Sequence, residues 1–141
     1  MPIRSLRSIV AAQPPTTTPN TSTVREAAVL MKERGKGALL VLDGSKLAGI
    51  FTERDALFRV IAAGRDPATT KVGDVMTPQP QSIHPDEPFV NALRVMHQGG
   101  FRHLPVVEHG RPLGIVSSRD ALDSDLYDLR MDLELREEVR E

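Results

Sequence analysis

A nine-residue motif occurs twice in this chain, sixty-five residues apart. The copies are residues 49–57 (GIFTERDAL) and residues 114–122 (GIVSSRDAL). Apolar residues and glycines coincide at the same offset elsewhere: Ala27 and Ala92, Met31 and Met96, Gly35 and Gly100, Leu39 and Leu104, Val41 and Val106. A repeated unit of this kind cannot usually bury its apolar face alone. We therefore expect the two copies to pack against each other and to leave a pseudo-symmetric cleft, in which function should be sought.

Length and composition limit the class of protein. A chain of 141 residues has room for one compact domain, or for two small half-domains that share a core. It holds no apolar run near the roughly 20 residues that a membrane helix needs, and the apolar part of residues 4–12 is too short for a secretory signal. Cysteine is absent, which excludes disulfides, thiolate metal sites and a cysteine nucleophile. We expect a cytoplasmic protein without a membrane partner.

Charge is distributed unevenly along the chain. After Leu122 the tail carries eight acidic residues against three arginines, although the whole chain has a net charge of only −1. The repeats are therefore slightly basic. This excess is too small and scattered for a nucleic-acid-binding face, but it suits a small anionic ligand. Ordinary solvated charge explains it equally well.

The hydrophobic pattern predicts the same elements in each copy. Residues 23–35 and 88–100 have the apolar spacing of helices that end at glycine, and Asp86 is the expected N-cap of the second. Strands are predicted at residues 38–42, 47–51, 104–107 and 113–116, joined in pairs by turns at residues 43–44 and 109–110. A short strand can form upstream of each first helix, and the Arg-Asp-Ala-Leu sequence should open a second helix in both copies.

The acidic tail has the pattern of an amphipathic helix. Leu126, Leu129 and Leu133 recur at helical spacing, so this helix could cover the core of its own chain or meet a partner subunit. We divide the chain into a first repeat (1–66), a second repeat (67–124) and an acidic C-terminal helix (125–141). Apolar residues of the helices at 23–35 and 88–100 could also continue a stripe onto a second chain.

The repeated motif gathers chemistry where a strand gives way to a helix. Thr52 and Asp55, and equally Ser117 and Asp120, place a hydroxyl and a carboxylate beside unpaired backbone N–H groups, which attract phosphate. A carboxylate accepts hydrogen bonds from adjacent ribose hydroxyls, and a neighbouring arginine grips phosphate. The same spacing is also a capping box, which needs no ligand. Recurrence of the whole Arg-Asp-Ala-Leu sequence favours binding, because a cap tolerates many residues.

Other candidate sites are weaker. The four histidines lack metal-ligand spacing, so no metal site is predicted. A Ser117, His103 and Asp120 triad has no base in the first copy, where Ala38 stands in place of His103, so we predict no catalytic residues and no enzyme. Arg102 and His103 are either a phosphate clamp or a solvated loop pair.

At this point the chain resembles a tandem pair of cystathionine-β-synthase (CBS) domains, the arrangement called a Bateman module. The resemblance spans about residues 8–122. It rests on the repeated Gly-hydrophobic-x-Ser/Thr-x-x-Asp pattern, on residues 75–78 (VMTP) and on residues 102–107 (RHLPVV). It implies an α/β (α+β) fold of two β-α-β-β-α repeats packed pseudo-symmetrically through their sheets, plus the C-terminal helix.

The resemblance also implies a set of nucleotide-binding residues. Asp55 and Asp120 would hold ribose hydroxyls, with Thr52 and Ser117 on ribose or phosphate. The phosphates would face Arg54, Arg119, Arg102 and His103, and Leu104 and Pro105 complete this strand entry. Met76, Thr77 and Ile83 would line the adenine pocket of the second site. The first site is the less complete, since Ala38 and Leu40 replace His103 and Pro105 there.

The function implied is that of a non-catalytic sensor, in which an adenine nucleotide (AMP, ADP or ATP) acts as a regulatory ligand and no cofactor is required. NAD or S-adenosylmethionine in the same cleft is an alternative, and a purely structural dimerisation module with empty clefts is another. Such modules often pair into flat dimers, so a homodimer and a regulated partner protein of unknown identity are expected. No nucleic acid is expected as a partner.

Overall fold

The computed structural model describes residues 4–140; residues 1–3 and Glu141, at the ends of the first and last predicted segments, lie outside it. The helices are α1 (Leu6–Ala11), α2 (Val24–Arg34), α3 (Glu53–Asp55), α4 (Val72–Val75), α5 (Phe89–Gly99) and α6 (Asp123–Arg140). The strands are β1 (Thr17–Pro19), β2 (Ala38–Asp43), β3 (Lys46–Thr52), β4 (Thr77–Pro78), β5 (His103–Glu108) and β6 (Arg111–Ser117). None of the described helices has the length and apolar character needed to cross a membrane.

The first repeat is built on a four-stranded sheet in the order β1-β2-β3-β4. β1 runs parallel to β2, and β2 and β3 form an antiparallel hairpin that turns at Gly44. β4, which comes from the linker between the repeats, pairs with β3 at the edge. β2 is buried along most of its length, as its continuous apolar sequence predicts.

The second repeat has the same arrangement, but its sheet has two strands instead of four. β5 and β6 form an antiparallel hairpin, and a single parallel bridge from Ile83 to Val106 takes the place that β1 holds in the first repeat. β6 lies against β2 and β3, so the repeats meet through their sheets. The predicted mixed α/β fold of two repeats with a C-terminal helix is confirmed.

Helices α2 and α5 both end at the predicted glycine, but only α2 begins with a side-chain cap. Gly35 and Gly100 adopt left-handed conformations, with φ of 63° and 72°, and terminate α2 and α5. Thr23 caps α2 in a capping box with Glu26. The predicted N-cap Asp86 is wrong, because the cap position of α5 is Pro88 and makes no side-chain cap.

Six apolar residues at the helical spacing of α2 and α5 are turned inward, whereas Ala28 and Val29 of α2 are exposed. Val24, Ala27 and Met31 are buried in one core, and Phe89, Leu93 and Met96 in another. The predicted stripe toward a second chain is therefore wrong for these residues. Tertiary packing inside the chain already uses the apolar spacing that suggested it.

The repeated motif opens a helix in only one of its two copies. In the first repeat α3 continues as a π-helical segment, Ala56–Ile61. In the second, Ser118–Asp120 form one 3₁₀ turn, Ala121 is extended, and α6 begins at Asp123. The Asp120 carbonyl accepts a 3.0 Å hydrogen bond from Arg4, which occupies an oxygen that a continuing helix would use. The tail helix therefore takes the place of the second repeat's missing helix.

Helix α1 packs into the core of the second repeat. Leu6, Ile9 and Val10 are buried together with the apolar residues of α5, β5 and β6. The Phe89 N–H donates to the carbonyl of Arg4 at 2.9 Å, so the chain before α1 provides the acceptor that a capping side chain would otherwise supply.

Helix α4 makes the reciprocal contact with the first repeat. Val72 and Val75 are buried with the apolar residues of α2, β2 and β3, and the Val24 N–H donates to the carbonyl of Thr70 at 2.9 Å. Helix α1, at the start of the first repeat, thus closes the core of the second repeat. Helix α4, at the start of the second repeat, closes the core of the first. We call this arrangement the helix exchange.

The glycine that begins each repeated motif makes the helix exchange sterically possible. A Cβ added at Gly49 would lie 2.5 Å from Met76 Sδ and 2.6 Å from the Thr77 carbonyl oxygen. A Cβ at Gly114 would lie 3.0 Å from the side chain of Val10. The end of α1 and the residues after α4 therefore cross the two hairpins at equivalent points, each against a residue without a side chain.

The first half of α6 packs on its own chain. The buried Asp125 carboxylate pairs with Arg4, Leu129 packs against the core of the second repeat, and Asp132 lies 3.5 Å from Arg94 of α5. Leu126 and Tyr127 are exposed on the same helix.

Candidate functional site

A cavity of about 290 Å³ lies between the repeats, where β6 ends in the repeated motif. The first linker (residues 13–16), the segment that joins α2 to β2 and the start of β5 also form its walls. Its lining residues are Gln13, Pro14, Pro15, Thr16, Gly35, Lys36, Gly37, Ala38, Glu53, Arg102, His103, Ile115, Ser117, Ser118, Arg119 and Asp120. Five predicted binding residues (Arg102, His103, Ser117, Arg119 and Asp120) are thus brought together.

The Asp120 carboxylate is held in place by the turn that carries it. Its Oδ2 accepts a hydrogen bond of 2.8 Å from the Ser117 N–H and lies 3.5 Å from the Ser117 hydroxyl. This is the capping-box geometry that the sequence offered as an alternative to ligand binding. It fixes the direction of the carboxylate, whose other oxygen, Oδ1, faces the first linker.

The Gln13 side chain makes a hydrogen bond to that second oxygen. Its side-chain Nε2 donates to Asp120 Oδ1 at 2.9 Å. Gln13 follows directly after the C-cap of α1, and its own backbone N–H donates to the Val10 carbonyl at 3.1 Å. The cavity carboxylate is therefore tied to the first linker.

His103 contributes an imidazole that the protein keeps largely uncharged. Burial lowers the pKa of His103 below its usual value; Glu53 opposes this effect, and the positive charges of Arg119 and Arg102 add to it. A Cβ added at Gly37 would lie 3.3 Å from the Glu53 carboxyl carbon and 3.4 Å from His103 Nε2, so these three residues meet closely across the two repeats.

Cationic side chains surround the mouth of the cavity. Lys36 comes from the first repeat, Arg102 and Arg119 come from the second, and all three are exposed. Exposed cations beside a partly buried carboxylate suit a ligand with an anionic end and a hydroxylated end. The predicted clamp of Arg102 and His103 lines this cavity.

Thr52 and Asp55, the first-repeat equivalents of Ser117 and Asp120, do not line this cavity. Asp55 is buried, accepts the Thr52 N–H at 3.0 Å in a second capping box, and lies 3.3 Å from the Thr77 hydroxyl. Arg59 approaches it to 3.8 Å and donates to the Met76 carbonyl at 2.7 Å. These neighbours occupy the surroundings of the Asp55 carboxylate.

Arg54 is also outside the cavity. Its guanidinium lies over the ring of Phe58, 5.4 Å from the centroid, on the exposed side of the helix. The phosphate contact that the resemblance implies for Arg54 stays a prediction.

The structure separates the predicted adenine-pocket residues from the second site. Met76 and Thr77 lie beside the first repeat, because β4 pairs with β3 and places Thr77 against Asp55. Ile83 bridges to Val106 and packs on the second core. The placement expected for all three, beside Asp120, is therefore corrected: the linker that reaches Asp120 is the first one.

Leu104 and Pro105 are buried in the hairpin. Leu104 belongs to the core of the second repeat, and Pro105 accepts a 3.0 Å hydrogen bond from the Ile83 N–H through its carbonyl. Neither lines the cavity. Because successive side chains of β5 point to opposite faces, the His103 imidazole lies at the site and Leu104 in the core.

Several lining residues were missed by the sequence reading. Glu53 and Ser118 lie inside the repeated motif but differ between its copies, so duplication gave them no weight. Gln13, the prolines after it and Lys36 were assigned no role in binding. Their contribution depends on the helix exchange, which no local pattern reveals.

A second charged cluster lies at the far end of β5. His84, Asp86 and Glu108 have potential ligand atoms within 4.8 Å of one another. The Arg7 guanidinium already bridges the carboxylates, with Nη2 at 3.0 Å from Asp86 Oδ1 and 2.7 Å from Glu108 Oε2. These hydrogen bonds lower the pKa of Glu108 and raise that of Arg7. The cluster therefore attaches α1 to the second repeat.

Comparison with known proteins gives consistent matches. The family model described as the CBS domain matches residues 6–62 and 72–127. The CBS domain-containing protein YhcV of Bacillus subtilis is 36% identical over 116 residues, which cover 82% of this chain and 81% of YhcV. The chain spans only 16% and 57% of the length of two CBS domain-containing proteins of Arabidopsis thaliana that it also matches.

Solved structures show the same architecture. A putative signal-transduction protein with CBS domains from Burkholderia ambifaria is 33% identical and superposes with a TM-score of 0.78 over 89% of this chain and 96% of that one. The CBS domain protein PAE2072 from Pyrobaculum aerophilum, solved as a complex with AMP, superposes with a TM-score of 0.81 over 91% of this chain and 99% of that one. At 22% identity, the second likeness establishes the fold alone.

Proposed function

The chain belongs to the CBS-domain family as a tandem pair, a regulatory module, and from this premise we propose that it binds an adenine nucleotide in the cavity beside Asp120. AMP, ADP and ATP are the ligands we favour. Asp120 accepts hydrogen bonds from the ribose hydroxyls, and the cations at the mouth contact the phosphates. The module has no catalysis of its own and reports the bound nucleotide to a partner protein.

The observation that carries this proposal is the joint placement of unlike groups around one cavity. A carboxylate fixed by its own turn, a partly buried imidazole and three exposed cations come from both repeats. Helix capping explains the carboxylate alone. It does not explain why Arg102, Arg119 and Lys36 meet at the same mouth, whereas an anionic, hydroxylated ligand does.

Size favours a mononucleotide. The volume of about 290 Å³ lies at the lower end of the range of about 300–1,000 Å³ that is typical of small-molecule sites. AMP fits such a space with its phosphate at the mouth. NAD would have to extend out of it, and S-adenosylmethionine would present a positive charge to Lys36 and the two arginines.

The competing function, a structural module whose clefts stay empty, also has an observation in its favour. Both capping boxes are complete in the protein alone, so neither Asp55 nor Asp120 requires a ligand to be satisfied. The two functions differ in what a nucleotide does to stability. A ligand that binds only the folded protein adds about 2.7 kcal/mol at 100 times its Kd.

The test is a thermal unfolding series, with AMP, ADP, ATP, NAD and S-adenosylmethionine added separately at increasing concentration. We expect AMP to raise Tm in a saturable way, and calorimetric titration to give one site for each chain. Incubated nucleotide analysed afterwards should be chemically unchanged. A Tm that none of the five ligands moves would support the structural module.

We further propose that the module forms a homodimer through exposed apolar side chains of the π-helical segment and of the region where α6 begins. Leu57 and Leu122 are equivalent in the two motifs, as are Ile61 and Leu126. The exposed fractions of these four side chains are 50%, 54%, 69% and 51% in the order named. Apolar side chains at equivalent points of a duplicated fold can form a self-complementary surface, as a two-fold dimer needs.

The cytoplasmic location stays a prediction, which cell fractionation would check.

A further inference from the structure

We propose that Gln13 competes with the ribose of the ligand for the Asp120 carboxylate, so that nucleotide binding releases the first linker. This inference rests on the proposed function of the cavity. It assigns to Gln13 a role in specificity and signalling that is separate from merely lining the site.

The argument begins with the acceptor capacity of Asp120. An ionised carboxylate offers about four lone-pair positions. The Ser117 N–H donates to Oδ2 at 2.8 Å, and the Ser117 hydroxyl, which can rotate, lies 3.5 Å from the same oxygen. Gln13 Nε2 holds Oδ1 at 2.9 Å. Gln13 itself lines the cavity, so its amide approaches Oδ1 from the side on which one of two adjacent ribose hydroxyls would have to lie.

Gln13 is the donor that can leave most easily. The Ser117 N–H is fixed by the backbone, whereas Gln13 reaches Asp120 through a flexible side chain. A diol can therefore bind fully only when the Gln13 amide moves off Oδ1. A ligand with a single ribose hydroxyl can use Oδ2 and leave Gln13 in place.

The position of Gln13 in the chain connects this displacement to both repeats. Gln13 lies between α1, which is buried in the second repeat, and Thr16, whose carbonyl accepts the Leu40 N–H of the first repeat at 3.1 Å. Two prolines between them, Pro14 and Pro15, restrict the linker backbone. Releasing Gln13 therefore removes one of the ties between the repeats at the point where the ligand enters.

The test compares AMP with 2′-deoxy-AMP on the parent and on Gln13→Met, which removes the donor and keeps the side-chain length. We expect Gln13→Met to bind AMP about tenfold more tightly, because a hydrogen bond to a charged acceptor no longer has to be broken. Its affinity for 2′-deoxy-AMP should change by about twofold or less. Gln81→Met, the same change at an exposed site in the other linker, should alter neither affinity.

A spectroscopic measurement separates competition from a structural role. The side-chain amide resonance of Gln13, assigned by its loss in Gln13→Met, should move toward that of a solvated glutamine on addition of AMP and stay in place with 2′-deoxy-AMP. Weaker AMP binding by Gln13→Met, or equal tightening for both nucleotides, would overturn the competition while leaving the proposed function intact. If neither nucleotide binds to the parent or the variant, both proposals fail.

Discussion

Two aspartates in the same sequence context have different surroundings in this protein. Asp55 is buried and contacts Thr52, Thr77 and Arg59, whereas Asp120 is partly exposed at the wall of a cavity. Because β4 covers the first motif, the duplication has yielded one aspartate with a structural environment and one that a ligand can approach.

This difference predicts unequal effects of removing the two carboxylates. Asp120→Ala should weaken AMP binding at least about tenfold, because charge-assisted hydrogen bonds to ribose are lost at about 1.5–3 kcal/mol each. Asp55→Ala should leave the affinity nearly unchanged and lower the free energy of unfolding instead. Calorimetric titration and urea unfolding of both variants measure the two effects. Parent-like AMP binding by a destabilised Asp120→Ala would indicate a capping role only.

His103 predicts a pH dependence of stability in the absence of ligand. Since its pKa in the folded protein is lowered, the unfolded chain binds more protons as the pH falls through its usual value of about 6.5. The stabilisation that comes from keeping this imidazole neutral is thus present above that pH and is lost toward the lower folded pKa.

The measurement is thermal unfolding of the parent and His103→Asn between about pH 7.5 and pH 5.5, where the imidazole of the unfolded chain takes up its proton. The parent should lose more stability than the variant as the pH falls. Equal slopes for the two proteins would show that His103 does not contribute to the pH dependence.

At the scale of elements, what could be predicted from the sequence was local. Apolar periodicity and a glycine stop determine α2, and the predicted hairpin turn forms one residue later than expected, at Gly44 and Ser45, because these signals act over a few residues. The second helix could not be predicted from its motif, since one long-range bond from Arg4 helps to end it after a single turn in the second copy. The placement of α1 was equally hidden, because its sequence does not say which repeat it covers.

The contacts at Gly49 and Gly114 predict that an added methyl group destabilises the protein to different extents at the two positions. Gly49→Ala should lower the free energy of unfolding by about 2–3 kcal/mol, because the added Cβ meets the Thr77 backbone, which cannot move aside without breaking β4. Gly114→Ala should cost about 1 kcal/mol, since the Val10 side chain can shift by a few tenths of an ångström. Urea unfolding tests the order, and a larger loss for Gly114→Ala would contradict it.

At the scale of the whole molecule, the exposed apolar helices predict assembly. The double change Ile61→Glu and Leu126→Glu should convert a dimer into single chains without unfolding them, because both side chains are more than half exposed in one chain. Light scattering with circular dichroism measures both properties. Val29→Glu, at a 46% exposed position on α2, is the matched control and should remain dimeric. A single-chain mass for the parent would rule the dimer out.

The helix exchange has a consequence for the origin of the protein. A single repeat carrying its own preceding helix would lack the helix that closes its core, so two such chains would have to trade helices to fold. We expect that a one-repeat ancestor could fold only as an intertwined homodimer, and that joining two copies in one chain makes the same contacts intramolecular and independent of concentration. The descendant should still show this when cut: fragments 1–66 and 67–141 should each be unfolded alone and should fold when mixed.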